Sequence, residues 1–119
     1  MRSISLALDI RPCAKARPRV TRNGCFMPKP YVLWRKEFVR QMKAQWDGVP
    51  LVGRLEVTAR FECKKSLRPD LDNAIGAVLD ALQDAGTVPN DSAVRVLHVS
   101  AIENTGKDRL HILLDLSSS

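Results

Sequence analysis

The sequence predicts an α+β fold of order β-α-β-α-β-β, in which two helices pack on one face of a mixed four-stranded sheet. Three observations lead there. Four segments alternate apolar and polar residues with the period of a strand, and two others repeat apolar residues at helical spacing. The connections carry Pro, Gly and Asn, which close elements rather than continue them. With 119 residues, 45% of them hydrophobic, the chain can bury one core, so residues 1–119 are expected to form one domain.

Taken in order, Ile4, Leu6, Leu8 and Ile10 alternate with Ser3, Ser5, Ala7 and Asp9, a first strand. Residues 11–30 carry prolines, many bases and the turn pair Asn23-Gly24, which predicts a long loop holding a tight hairpin. From Tyr31 to about Trp46 the pattern is helical: Trp34, Phe38, Met42 and Trp46 share one side, while Arg35, Lys36, Arg40 and Lys43 take other faces. Trp34 and Trp46 read as core or dimer contacts rather than base-stacking platforms. Asp47-Gly48 and Pro50 end this helix. In the second strand Leu55, Val57, Ala59, Phe61 and Cys63 point one way, and Arg54, Glu56, Thr58, Arg60 and Glu62 the other. Lys64, Lys65 and Arg68 form a basic turn. The second helix runs from about Leu71 to Ala85, with Leu71, Ile75, Val78, Leu79 and Leu82 as its apolar stripe and Gly86 closing it. Asp80 and Asp84 on this helix are expected to be solvated. Ala93–Ile102 reads as a third strand, Glu103–Asp108 as a hairpin loop and Arg109–Leu116 as the fourth strand. His98 and His111 lie in these two strands as candidate cross-strand neighbours with a structural role.

Composition narrows the function. No stretch approaches the ~20 apolar residues that span a bilayer, and the N-terminal segment alternates like a strand rather than a signal peptide. A cytoplasmic location is the expectation. Cys13, Cys25 and Cys63 are odd in number and contain no CxxC pair, which supports neither a disulfide framework nor a zinc site. The net charge of +6 is unevenly spread. Residues 1–69 hold 16 Lys and Arg against 5 Asp and Glu, whereas residues 70–119 hold 3 against 8. The basic part suits a polyanion such as nucleic acid, and the acidic part suits phosphate only where a divalent cation inverts the local charge.

That acidity concentrates at the start of the second helix, in RPDLDN (68–73). Asp70 and Asp72 suit the helix N-terminus on electrostatic grounds alone, each worth ~0.5–1 kcal/mol there. A metal-binding reading competes. Both carboxylates stay near the helix mouth, with Leu71 anchoring the turn. Asp91 follows the helix and reaches the same mouth if the next strand starts beside it. Oxygen ligands without His or Cys suit Mg²⁺ or Mn²⁺. Such an ion would activate water against a phosphodiester, while a basic loop held the strand.

KARPRVTRNGCFMPK (15–29), DLDNAIGAVLDAL (70–82) and NDSAV (90–94) together resemble the RusA family of Holliday-junction resolvases, small endonucleases often carried by phages and prophages. The resemblance implies a Mg²⁺-dependent homodimer, with Mn²⁺ as a substitute, that makes paired symmetric nicks in four-way DNA junctions during recombination and repair in a bacterial or phage-infected cell. It implies that Asp70, Asp72 and Asp91 are the metal-binding catalytic residues. Lys15, Arg17, Arg19, Arg22, Lys64, Lys65 and Arg68 would grip DNA. One position departs from the family pattern. The family usually carries a lysine, important for cleavage, where this chain has Gly76. Either close approach of DNA or a neighbouring helix excludes a side chain there, or a cation comes from elsewhere, with Lys64, Lys65 and Arg68 nearest in sequence. Two other readings follow from that glycine and the charge pattern: a junction-binding protein with weak or no cleavage, and a metal-dependent nuclease for other branched nucleic acids.

Overall fold

In a computed structural model, residues 2–117 are described, apart from the side chain of Asp91. The elements are β1 (Arg2–Leu8), β2 (Arg19–Thr21), β3 (Gly24–Phe26), α1 (Lys29–Lys43), β4 (Leu55–Glu62), α2 (Leu71–Ala85), a 3₁₀ turn (Asp91–Ala93), β5 (Val94–Ile102) and β6 (Arg109–Leu116). Four strands form one mixed sheet in the order β1-β6-β4-β5, and β2 with β3 forms a separate small hairpin that turns at Arg22-Asn23, with Gly24 opening β3. β6 runs antiparallel to both neighbours, and β5 runs parallel to β4.

The predicted pairing of the last two strands is therefore corrected: β4 lies between β5 and β6. The connection Glu103–Asp108 crosses the end of β4 instead of closing a hairpin. Its backbone satisfies itself on that end, with Asn104 N–H donating to Lys65 O at 2.7 Å and Thr105 N–H to Cys63 O at 2.9 Å. His98 and His111 are not neighbours either. His98 sits opposite Thr58 and bonds Glu56 at 2.9 Å, whereas His111 sits opposite Arg60, 3.6 Å from Glu62.

Strand alternation decides which sheet face is covered. Leu6, Ile112 and Ala59 line up across three strands, as do Leu8, Leu110 and Phe61, and all six are buried. Trp34, Phe38 and Met42 of α1 and Ile75, Val78 and Leu82 of α2 complete this core. α1 begins earlier than expected because Pro30 sits in its first turn, where a missing N–H costs nothing. It stops at Lys43, before Trp46, whose indole N–H donates to Val49 O at 3.0 Å. Gly86 closes α2 with φ 81°, the left-handed conformation a Cβ disfavours. Asp84 is exposed, as expected, whereas Asp80 is partly buried, and both tie the helices together. Arg35 forks onto Asp84 through two bonds of 2.5 Å, and the Tyr31 hydroxyl donates to Asp80 at 2.8 Å. Burial, reinforced by that bond, pushes the Tyr31 phenol above its ordinary pKa.

The parallel pairing of β4 and β5 fixes the course of α2. A helix joining two parallel strands must run back along them. α2 therefore starts at the sheet end that carries Glu62 and Ile102 and returns to the end that carries Leu55 and Val94. Leu51 N–H donating to Thr87 O at 2.9 Å fastens that second end.

Candidate metal centre and nucleic-acid interface

Pro69 and the extended backbone of Asp70 (φ −63°, ψ 153°) set the entry to α2, and Ala74 N–H donates to Asp70 O at 2.9 Å to begin the helix. The Asp70 carboxylate nevertheless makes no capping bond. Among the described residues neither it nor the Asp72 carboxylate has a hydrogen-bond or ion-pair partner. Both residues are exposed. Leu71, expected to anchor the turn in the core, is itself 39% exposed. So two acceptor-only groups stand at a helix mouth whose free N–H groups favour anions, and the chain leaves their oxygens unspent. That donor set fits a hard divalent cation.

The backbone of Asp91 lies at the other end of α2 from Asp70 and Asp72. The 3₁₀ turn that Asp91 opens packs on α2 and leads directly into β5, at the helix's far end. The 15 residues of α2 span about 22 Å at ~1.5 Å per residue. The Asp91 side chain lies outside the described residues. Among the described residues, no group of three His, Cys, Asp or Glu gathers to hold an ion.

Basic groups surround the mouth. Arg11, Lys64, Lys65, Arg68 and Pro69 line a cleft of about 460 Å³. Asp108 also lines it, but its carboxylate accepts the Lys64 backbone N–H at 2.8 Å. The Lys64, Lys65 and Arg68 side chains have no ion-pair partner among the described residues. Arg11 was missed in the sequence. Its signal was faint, a base beside Pro12 just past a strand, and it is held because the Trp34 indole donates to its carbonyl at 2.9 Å.

Arg17, Arg19 and Arg22 lead into and along the β2–β3 hairpin, an arm exposed on all its strand residues, with Val20 84% exposed. No carboxylate pairs with these three arginines among the described residues.

Lys15 behaves differently from the rest of the loop. Its N–H donates to Asn73 O at 3.0 Å, and its side chain lies across Gly76. A Cβ built on Gly76 would meet Lys15 Cδ at 3.0 Å and Cβ at 3.4 Å. A helical glycine costs ~1 kcal/mol relative to alanine, and here the missing side chain makes room for a lysine stem rather than for a helix. The Lys15 ammonium ends 3.6 Å from Asp80.

No described helix is long and apolar enough to cross a membrane. Residues 9–114 match a family model described as Endodeoxyribonuclease RusA. The chain is also similar to a Crossover junction endodeoxyribonuclease RusA of Aquifex aeolicus (strain VF5), at 22% identity over 110 residues that cover 91% of this chain and 87% of that protein. With a match that begins at Asp9, just past β1, and ends at Leu114 in the last strand, the chain belongs to the RusA family of endodeoxyribonucleases.

Proposed function

We propose that the protein is a Mg²⁺-dependent endonuclease that resolves four-way DNA junctions by paired symmetric cleavage, working as a homodimer in recombination and repair. The observation that carries this reading is the pair of unspent carboxylates, Asp70 and Asp72, at the mouth of α2 beside a cleft of unpaired bases. Asp70 and Asp72 would hold the cation, which supplies charge neutralisation at the phosphate and a more acidic water. Arg11, Lys64, Lys65 and Arg68 position the DNA backbone over the mouth. Arg17, Arg19 and Arg22 extend that grip along the arm, and a ribbon of this width fits a groove. Each contact adds affinity without reading sequence.

The dimer follows from the distance between the two halves of the acid set. β5 is an edge strand of nine residues without proline, with Val96 and Leu97 both exposed, one on each face. An edge so little protected is a template for another strand. Pairing β5 antiparallel with the same strand of a second copy sets the start of one against the end of the other. Asp91 of the partner subunit then lies at the sheet end that carries Asp70 and Asp72. A two-fold axis repeats the arrangement, giving two composite sites for two incisions.

The test is a labelled synthetic four-way junction incubated with Mg²⁺ or with chelator, beside flap and RNA substrates. Paired nicks in the junction with Mg²⁺ alone are expected. Binding without nicking, by folded and dimeric protein, would reduce the protein to a junction binder. Faster cutting of flaps or RNA would move the substrate class.

A further inference from the structure

Asp72, Gly76 and Asp80 stand at successive i, i+4 positions of α2 and so form one stripe leading from the mouth into the helix. The aliphatic stem of Lys15 crosses that stripe at Gly76, its midpoint. From there one helical turn, about 6 Å, leads either to Asp80 or to Asp72. The ammonium rests on the Asp80 side, at a loose 3.6 Å, with the Lys15 side chain 51% exposed. Asp80 does not depend on it, because its other oxygen takes the Tyr31 hydroxyl at 2.8 Å. The backbone of Lys15 is fixed on the first turn of the helix by its bond to Asn73. A cation with an anchored backbone, a half-exposed head and a weak resting partner is built to change partners.

We propose that Lys15 is a catalytic residue: Gly76 is the notch that lets its stem cross α2, and its ammonium leaves Asp80 to hold a non-bridging oxygen of the phosphodiester at the helix mouth. This rests on the reading of that mouth as the site of hydrolysis. The charge built up on the phosphate in the transition state is what the ammonium meets, so its contribution falls on the rate of the bound complex more than on affinity. The other bases differ in this respect. Arg17, Arg19 and Arg22 lie on or beside an arm with no backbone bond to α2, and Lys64 and Lys65 belong to a turn held to the 103–108 loop.

Lys15→Met keeps the stem and removes the charge. Junction affinity, measured without divalent metal, should stay within about threefold, while single-turnover cleavage at saturating protein falls ~100-fold, the scale of one lost transition-state contact. Lys15→Arg should recover part of that loss. Gly76→Ala places a methyl 3.0 Å from Lys15 Cδ. It should therefore slow bound-state cleavage about tenfold while the melting temperature holds or rises, since alanine favours the helix. In the Lys15→Met background Gly76→Ala should cost nothing further, because the ammonium it would displace is already gone. Wild-type protein that cuts, alongside Lys15→Met cutting equally fast when bound, would overturn this proposal alone. So would a Lys15→Met loss that saturating protein restores, or full additivity of the two substitutions. Wild-type protein that never cuts would remove the hydrolytic site and Lys15's role with it.

Discussion

Two inactive variants should restore one another when they share a dimer. Asp72→Asn removes a carboxylate at the mouth of α2, and Asp91→Asn removes the one at the far end. The 15-residue helix separates the two positions by about 22 Å, whereas Mg²⁺ sits only ~2.1 Å from each of its oxygens. On the proposed reading, the two carboxylates of one site therefore come from different chains. In a composite site the mixed dimer holds one site with both substitutions and one with neither. Random pairing of the two chains at equal amounts makes about half the dimers mixed, each with one intact site of two, so the mixture should carry about a quarter of the wild-type sites. The assay is a four-way junction labelled in turn on each strand, cut by co-refolded protein and resolved on denaturing and native gels. Single nicks should appear with little separation into duplexes, because paired incision needs both sites. Each variant alone should bind the junction and leave it intact, Asp72→Asn at least as tightly as wild type because it removes a negative charge near phosphate. Mixed dimers, verified by two different tags, that nick nothing would refute the shared site. Cutting by pure Asp91→Asn would remove Asp91 from it.

Three further outcomes test other parts of the account. Leu97→Lys places a charge on the half-exposed edge strand, and sedimentation should show monomers that keep their circular dichroism and lose cleavage; an intact dimer would put the seam elsewhere. Binding should weaken steeply with salt, and Arg19→Ala should lower the log–log slope by about one, the share of one phosphate; an unchanged slope would remove the arm from the interface. Tyr31 is the one tyrosine in the sequence, so ultraviolet difference absorption titrates it alone. Its pKa is raised by burial and then by the bond to Asp80. The stability it lends is therefore complete below the unfolded value of ~10 and is lost as pH rises through the folded value. Asp80→Asn should bring the titration down, and a wild-type midpoint at the free-tyrosine value would disprove the bond.

The helices and strands were legible because their signals are local. Leu71–Ala85 is bounded by Pro69 before it and Gly86 after it, and its stripe needs no knowledge of the rest of the chain. Strand partners are not local. Gly106 between two alternating runs invites a hairpin, yet β4 alternates more strictly than β5, and a strand with one fully buried face takes the centre. Once β4 intervened, the helix between it and β5 had to travel the length of the sheet. That journey explains why Asp70 and Asp91, 21 positions apart, are separated in space although the sequence allowed them to meet. Asp70 and Asp72 were found from charge out of place in a basic chain. The seat of Lys15 was half legible: a glycine inside a helix announced a close approach, but only the folded loop shows what approaches.

The position of β6 also bears on how the chain is made. β1 has one neighbour in the sheet, and that neighbour is β6, with Arg2 opposite Leu116 and Leu8 opposite Leu110. During synthesis the opening strand thus leaves the ribosome with its edges bare and waits for more than a hundred residues. Contacts of such long sequence separation slow folding. Until β6 slots between β1 and β4, the sheet is not continuous and the Ile4–Leu8 stretch lacks its strand partner.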